Sequence, residues 1–172
     1  MSEEYDYKNP EHNDPNKYKI HNGTVLDHTL EALKSYKESN DPATLWSILL
    51  HDVGKPKSYV FDKDKGHTYH GHASESKSII NDIATRLHID NKTRDIILFC
   101  AENHMKIHEL LKMSNSKIAE LMNNDGFEVL MKVAEADAKA RGHMFDEKEW
   151  QQITNKIAEL QRSSRIERQL KL

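Results

Sequence analysis

The stretch Leu45-Trp46-Ser47-Ile48-Leu49-Leu50-His51-Asp52-Val53-Gly54-Lys55-Pro56 constrains the fold of this chain more than any other. From Leu45 to Leu50 only Ser47 is polar, so a helix here has no evident solvent face and is predicted to run through the middle of a domain. His51 and Asp52, at its end, are then buried together. An imidazole and a carboxylate in an apolar interior are costly unless each is paired or both hold a cation, which points to a metal. Asp41-Pro42 supplies an N-cap and a proline at the first helical position. At the far end Gly54 releases the backbone, and Pro56 is expected to prevent the helix from resuming.

A chain of 172 residues is long enough to bury a core without structural metals or disulfides, so any metal is read as functional. The one cysteine, Cys100, excludes an internal disulfide and fits a reducing compartment. No apolar run approaches a membrane span, and Met1-Ser2-Glu3-Glu4 is too polar to begin a signal peptide. A cytoplasmic protein with no membrane partner is expected. A net charge of -3 leaves no broad basic surface for duplex nucleic acid, so small anionic substrates or short strands fit better. Eleven histidines, by contrast, are a large stock of potential ligands.

Residues 1–22 show no periodicity and read as an irregular lead-in. A first helix is predicted from Thr24 to Ser39, with Val25, Leu26, Leu30 and Leu33 inward and His28 at the edge of that stripe. After the central helix, two β-prone runs around Gly66 suggest a hairpin excursion near residues 58–70, with Asp62 and Asp64 in a solvated turn. Helices follow from His72 to Leu87, burying Ile79, Ile80, Ile83 and Leu87, and from Asn91 to Leu111, with Ile97, Cys100, His104 and Ile107 on the buried face. Ser114 to Met122 forms a short helix. Phe127 to Arg141 places Asp137 on a stripe with Leu130, Val133 and Ala134, so a carboxylate takes a core position. The fold class expected is all-α, a bundle of about six or seven helices in one domain. Its core is 24–142, and 146–172 adds a C-terminal helix and a tail containing Arg162, Arg165, Arg168 and Lys171. The stripe Trp150, Ile153, Ile157 and Leu160 either completes the protein's own core or forms a homodimer seam, with the tail free to attract RNA.

His28, His51, Asp52, His72, His104 and Asp137 thus sit on, or at the ends of, apolar helices. Each alone also reads as a hydrogen-bonded core residue. Together, imidazoles with carboxylates and no thiolate suit a divalent ion such as Mn, Fe, Ni, Zn or Mg rather than a closed structural zinc site. The ordered set resembles the HD superfamily of metal-dependent phosphohydrolases. More closely, His28-Thr29-Leu30, Leu50-His51-Asp52-Val53-Gly54-Lys55, His70-Gly71-His72, Glu102-Asn103-His104 and Glu135-Ala136-Asp137-Ala138 are similar to the HD domain of some bacterial CCA-adding enzymes, tRNA nucleotidyltransferases. No nucleotidyltransferase head is expected, because no Gly-Ser helix opening precedes Asp62-Lys63-Asp64.

The resemblance implies an HD helical bundle in which His28, His51, Asp52 and Asp137 bind a first metal, and His72 and His104 hold a second metal or the substrate phosphate. Asp52 is the candidate to orient or deprotonate a water, and Lys55 to bind a phosphate oxygen; a solvated, helix-capping lysine is the alternative. Arg141 either contacts phosphate or pairs with Asp137 four residues earlier. His108 is expected to be structural or peripheral, His67 and His70 to line the mouth, and His12, His21, His88 and His143 to lie at the surface. The implied activity is that of a 2',3'-cyclic phosphodiesterase, 2'-nucleotidase or phosphatase, with a small nucleotide or an RNA 3'-end phosphate as substrate. A 5'-nucleotidase or deoxynucleoside triphosphohydrolase, and a nucleotide-sensing module without turnover, are the alternatives. The Val53-Gly54-Lys55-Pro56 continuation departs from the acidic pair expected of ppGpp hydrolases, and the Gly-Tyr-Pro motif of cyclic-di-GMP enzymes is absent.

Overall fold

The computed structural model describes residues 24–36, 41–62, 66–142 and 145–169. Helices α1 (Val25–Ser35), α2 (Pro42–Leu50) and α3 (Lys55–Ser58) lead into a two-stranded hairpin, β1 (Val60–Asp62) and β2 (Gly66–Thr68). The strands are antiparallel, with Val60 opposite Thr68. Helices α4 (His72–Arg86), α5 (Asn91–His108), α6 (Asn115–Met122), α7 (Phe127–Ala140) and α8 (Glu147–Gln169) follow, with a 3₁₀ turn, Leu110–Lys112, after α5. The architecture is all-α, with the hairpin as the expected excursion.

Local chemistry sets the helix starts. Thr24 and Asp27 form a reciprocal capping box at α1, Asp41 accepts from the Ala43 N–H ahead of Pro42, and Asp90 accepts from Thr93. Asp146 receives the N–H groups of Lys148 and Glu149 at the start of α8. Pro56 does not stop helical structure. It occupies the first turn of α3, where the missing N–H costs nothing, so the chain pauses at Gly54 and turns into a new helix.

Four helices bury stripes with the same spacing, i, i+3, i+4 and i+7, and each stripe carries one polar residue of the conspicuous set. The stripes are Val25, His28, Thr29 and Ala32 on α1; Thr44, Ser47 and Ile48 on α2, continued by His51; Ile97, Cys100, Ala101 and His104 on α5; and Leu130, Val133, Ala134 and Asp137 on α7. Helix α7 packs against α1, α2 and α5, and α4 packs on the outer side of α5. The main core runs from Ala32 and Ile48 through Leu110, Ile118 and Leu130 to Ile153 and Ile157; a second cluster joins Leu50, Ile80, Ile97 and Ala101. Ile153 and Ile157 of the α8 stripe are buried in the main core, and Trp150 and Leu160 are partly buried against it.

Several expectations about the core require correction. Leu26 and Leu30 are 40% and 42% exposed, because α1 turns its small and polar stripe inward instead. Leu45 and Leu49 are also more than one-third exposed, so α2 does have a solvent side. Leu87 is exposed just past the end of α4, where His88 takes φ 55° and the chain leaves the helix. Helix α1 ends at Ser35, and α5 at His108 rather than Leu111. The expected lead-in, His12, His21, Asp64 and His143 lie outside the described residues, as do the side chains of Asp62 and His67.

Two glycines bring α4 to the centre. Gly71 takes φ 82° immediately before His72, a left-handed conformation that glycine adopts without a side-chain clash. Gly54 donates its N–H to Ser76 Oγ at 3.0 Å, and a Cβ there would overlap the His72 carbonyl oxygen and lie 2.5 Å from the Ser76 backbone nitrogen. Neither obstacle is a flexible side-chain tip. Gly54→Ala is therefore expected to destabilise the fold by about 2 kcal/mol or more, the range for forced overpacking, measured by urea unfolding. A loss under about 0.5 kcal/mol would mean that the α4 start can shift freely.

Candidate metal centre

Five helices or helix ends converge on one buried cluster. α1 supplies His28, the end of α2 supplies His51 and Asp52, α4 opens with His72, and α5 and α7 present His104 and Asp137 from their buried stripes. One ligand atom from each of His28, His51, Asp52 and Asp137 can be chosen so that all lie within 4.8 Å of one another; Asp52, His72 and His104 form a second such group. Asp52 belongs to both. Its Oδ2 is 3.1 Å from His51 Nε2 and 3.9 Å from His28 Nε2, while its Oδ1 is 3.4 Å from His104 Nε2. The imidazoles follow one another as a row, with centroids 5.6 Å apart for His28 and His51, 5.0 Å for His51 and His104, and 6.3 Å for His104 and His72.

Backbone carbonyls decide how three of these rings face. Nδ1 of His51, His72 and His104 donates to the carbonyl three residues earlier, Ile48 at 2.7 Å, Tyr69 at 2.9 Å and Ala101 at 3.2 Å. A carbonyl only accepts, so Nδ1 carries the hydrogen and Nε2 is left toward the cluster. This is the outer-shell arrangement that orients histidine ligands.

The donor set fits a divalent cation. The Nε2 atoms of His51 and His104 and both oxygens of Asp52 are buried with no well-aligned hydrogen bond among the described residues, despite neighbours at ion-pair distance. Groups that approach closely without aligning donor to acceptor are directed at a shared centre rather than at one another. Nitrogen and carboxylate oxygen without sulfur match borderline or hard divalent ions. Cys100 takes no part, since burial raises its thiol to about 12 and it packs in the core.

Charge in the cluster is correspondingly tense. Burial raises the Asp52 carboxyl, but His51 and Lys55 outweigh it and hold the group well below the usual carboxylate range. Burial acts the same way on Asp137, and hydrogen bonds from His108 and His28 together with the Arg141 charge reverse it. For His51 burial works downward, yet Asp52 and Asp137 prevail and the imidazole rises to about 9. Burial lowers His104, with Asp52 opposing.

A family profile described as HD domain matches residues 20–167. The chain belongs to the HD domain family. HD domains are metal-dependent phosphohydrolases that bind divalent metals, and the His/Asp cluster is where this HD domain could hold one. The chain is 29% identical over 123 residues to the multifunctional CCA protein of Legionella pneumophila strain Paris, covering 67% of this chain and 29% of that protein. It is 30% identical over 101 residues to the multifunctional CCA protein of Shewanella denitrificans, covering 58% and 24% respectively. The matched stretch thus spans less than one-third of the length of these relatives. Among the described residues, no helix is long and apolar enough to cross a membrane.

The structure brings His28, His51, Asp52, His72, His104 and Asp137 of this HD domain together. Lys55 is neither solvated nor a simple helix cap: its Nζ is 2.8 Å from Asp52 Oδ2 and lies over the Tyr69 ring, 5.3 Å from the centroid. Arg141 pairs with Asp137, Nη2 to Oδ2 at 2.8 Å, the nearer of its two expected uses. Of the two expectations for His108, structural or peripheral, the contact matches the first, since Nε2 is 2.6 Å from Asp137 Oδ2. The signal was its position four residues after His104, on the same side of α5. His70 and His88 are exposed.

Without a cation, His51 binds a proton more tightly folded than unfolded, because its pKa rises from 6.5 to about 9. That stabilisation is fully present below 6.5 and is lost as pH rises through 9; the lowered Asp52 and Asp137 contribute stability above 3.8 that is lost as pH falls. EDTA-treated protein is expected to show a falling Tm from pH 6.5 to 9.5, and excess Mn to remove the decline by replacing the proton. A flat or rising Tm in EDTA would contradict this charge assignment.

Proposed function

We propose that the protein hydrolyses nucleotide phosphoesters, with 2',3'-cyclic phosphates, 2'-nucleotides and related monoesters, including an RNA 3'-end phosphate, as its substrates. The observation that carries the reading is the pair of candidate ligand groups sharing the buried Asp52 inside an HD domain. The resemblance of the motifs to the HD domain of CCA-adding enzymes, together with the similarity to multifunctional CCA proteins, supports a nucleotide phosphoester as substrate. In this reading His28, His51, Asp52 and Asp137 hold one ion, and Asp52, His72 and His104 hold a second, with Mn, Fe, Ni, Zn or Mg compatible with the donor set. Bound there, a divalent cation supplies Lewis-acid chemistry, acidifying water and withdrawing charge from phosphoryl oxygen.

The chain's own groups do the remaining work. Asp52, held ionised by His51 and Lys55, accepts a hydrogen bond and orients a water; a carboxyl pulled so low is a poor proton store, so orientation rather than deprotonation is its part. Lys55 brings a positive charge to the edge of the cluster, 13% exposed, where it meets a non-bridging phosphoryl oxygen. His72 is only half-buried, so in this reading it is the histidine of the cluster open to an approaching substrate. Arg141 is committed to Asp137 and is not a phosphate contact in this assignment.

Purified protein with Mn, Ni or Mg is expected to hydrolyse 2',3'-cAMP and 2'-AMP faster than 5'-dAMP or dATP. Asp52→Ala should cost at least about a hundredfold while the circular dichroism spectrum stays helical. Preference for dATP or 5'-dAMP would replace the substrate class, and binding without turnover of any ester would make the protein a sensing module. His72→Ala and His104→Ala should each lower the Mn stoichiometry from two to one, read by calorimetry; an unchanged stoichiometry with a raised KM would instead make them substrate contacts.

A further inference from the structure

The two oxygens of Asp137 meet different surroundings. Oδ1 faces the cluster, 2.8 Å from His28 Nε2 and 3.9 Å from His51 Nε2. Oδ2 is taken from the other side by His108 Nε2 at 2.6 Å and Arg141 Nη2 at 2.8 Å. An ionised carboxylate only accepts, so His108 carries its hydrogen on Nε2 in this contact. His108 stands at the end of α5 and Arg141 one turn beyond Asp137, at the end of α7, so two different helices grip one oxygen. Both also line a cleft of about 560 Å³ between α5, the end of α7 and the start of α8. Their side chains are 17% and 24% exposed, whereas that of Asp137 is 3% exposed.

We infer that His108 and Arg141 are positioning residues that hold the outer oxygen of Asp137, so that it meets a cation through one oxygen only. The terminal torsion of an aspartate is soft, and an unrestrained carboxylate can turn to present both oxygens. Two donors fixed in direction by separate helices remove that freedom, and the planar guanidinium is well suited to the task. One-oxygen coordination beside imidazoles suits small transition-metal ions; calcium, with six to eight oxygen ligands and frequent bidentate carboxylates, is disfavoured. Arg141 also offsets the charge of Asp137, so it loosens the electrostatic hold on a cation while ordering its ligand. His108 orders the ligand without needing a charge.

This inference rests on the metal-centre reading, and its test is metal binding rather than turnover. Metal-free wild type, His108→Leu and His108→Gln are titrated with MnCl2 by calorimetry and with Co(II) by visible absorption. His108→Leu should bind Mn at least about tenfold more weakly, the usual effect of losing an outer-shell partner, and its Co(II) band should change in intensity as coordination changes. His108→Gln, whose amide can donate from a similar place, should recover most of both. If His108→Leu does not fold, Arg141→Met and Arg141→Lys carry the test: the Co(II) band changes in the first and is largely restored in the second. A purely packing role would lower Tm while leaving Mn affinity and the Co(II) spectrum as in wild type, and that result overturns the inference. A wild-type protein that binds neither ion overturns the metal centre and the inference together, whereas ion binding without hydrolysis overturns only the proposed activity.

Discussion

Two carboxylates held in ionised form inside a helical bundle are the constraint on which the rest of this structure depends. Asp52 and Asp137 are almost fully buried, and an isolated buried carboxylate would take up a proton rather than stay charged. Neither does so, because neighbouring elements turn positive or proton-donating groups toward them: His28 from α1, His51 and Lys55 around the α2–α3 turn, His108 from the end of α5, Arg141 from the end of α7. Much of the side-chain choice at the centre of the bundle is therefore electrostatic. Removing one partner leaves an uncompensated charge in a dry place, a far larger disturbance than losing an exposed ion pair.

The same constraint explains why the helices meet where they do. Each of four buried stripes includes one candidate ligand, at the second position in α1 and at the fourth in the other three, so the packing that builds the core also brings the cluster together. Three rings are then oriented by backbone carbonyls three residues earlier, a bond available to histidine inside or beside a helix with no further partner. The local rule is simple, yet its effect is to turn three Nε2 atoms toward one cluster. An HD domain can be read in this light as a bundle in which ordinary helix packing and ligand geometry coincide.

Much of this was legible in the sequence, and the misses share a cause. The HD pair, the later histidines and Asp137 stood out because polar residues interrupted apolar stripes, and most helix boundaries followed from caps. Leu26, Leu30, Leu45 and Leu49 mislead because large apolar residues ordinarily mark the inner face of a helix. In α1 and α2 the inner face instead mixes Val25, Ile48 and Leu50 with Thr29, Ala32, Thr44, Ser47 and the candidate ligands, and it packs on α7 and α5. Where a core is also a site, hydrophobicity alone assigns the wrong side. The pairing of His108 is not legible locally, because its partner, Asp137, lies 29 residues away on another helix.

Gly54 shows how far the site extends beyond the residues that face a cation. His72 reaches the cluster only because α4 begins against a turn whose backbone has no side chain to stand in the way. Grafting the six candidate ligands onto another helical bundle would thus leave the second group incomplete. The portable unit is the whole passage from His51 through Ser76, in which the absence of a methyl group is as much a component as any imidazole.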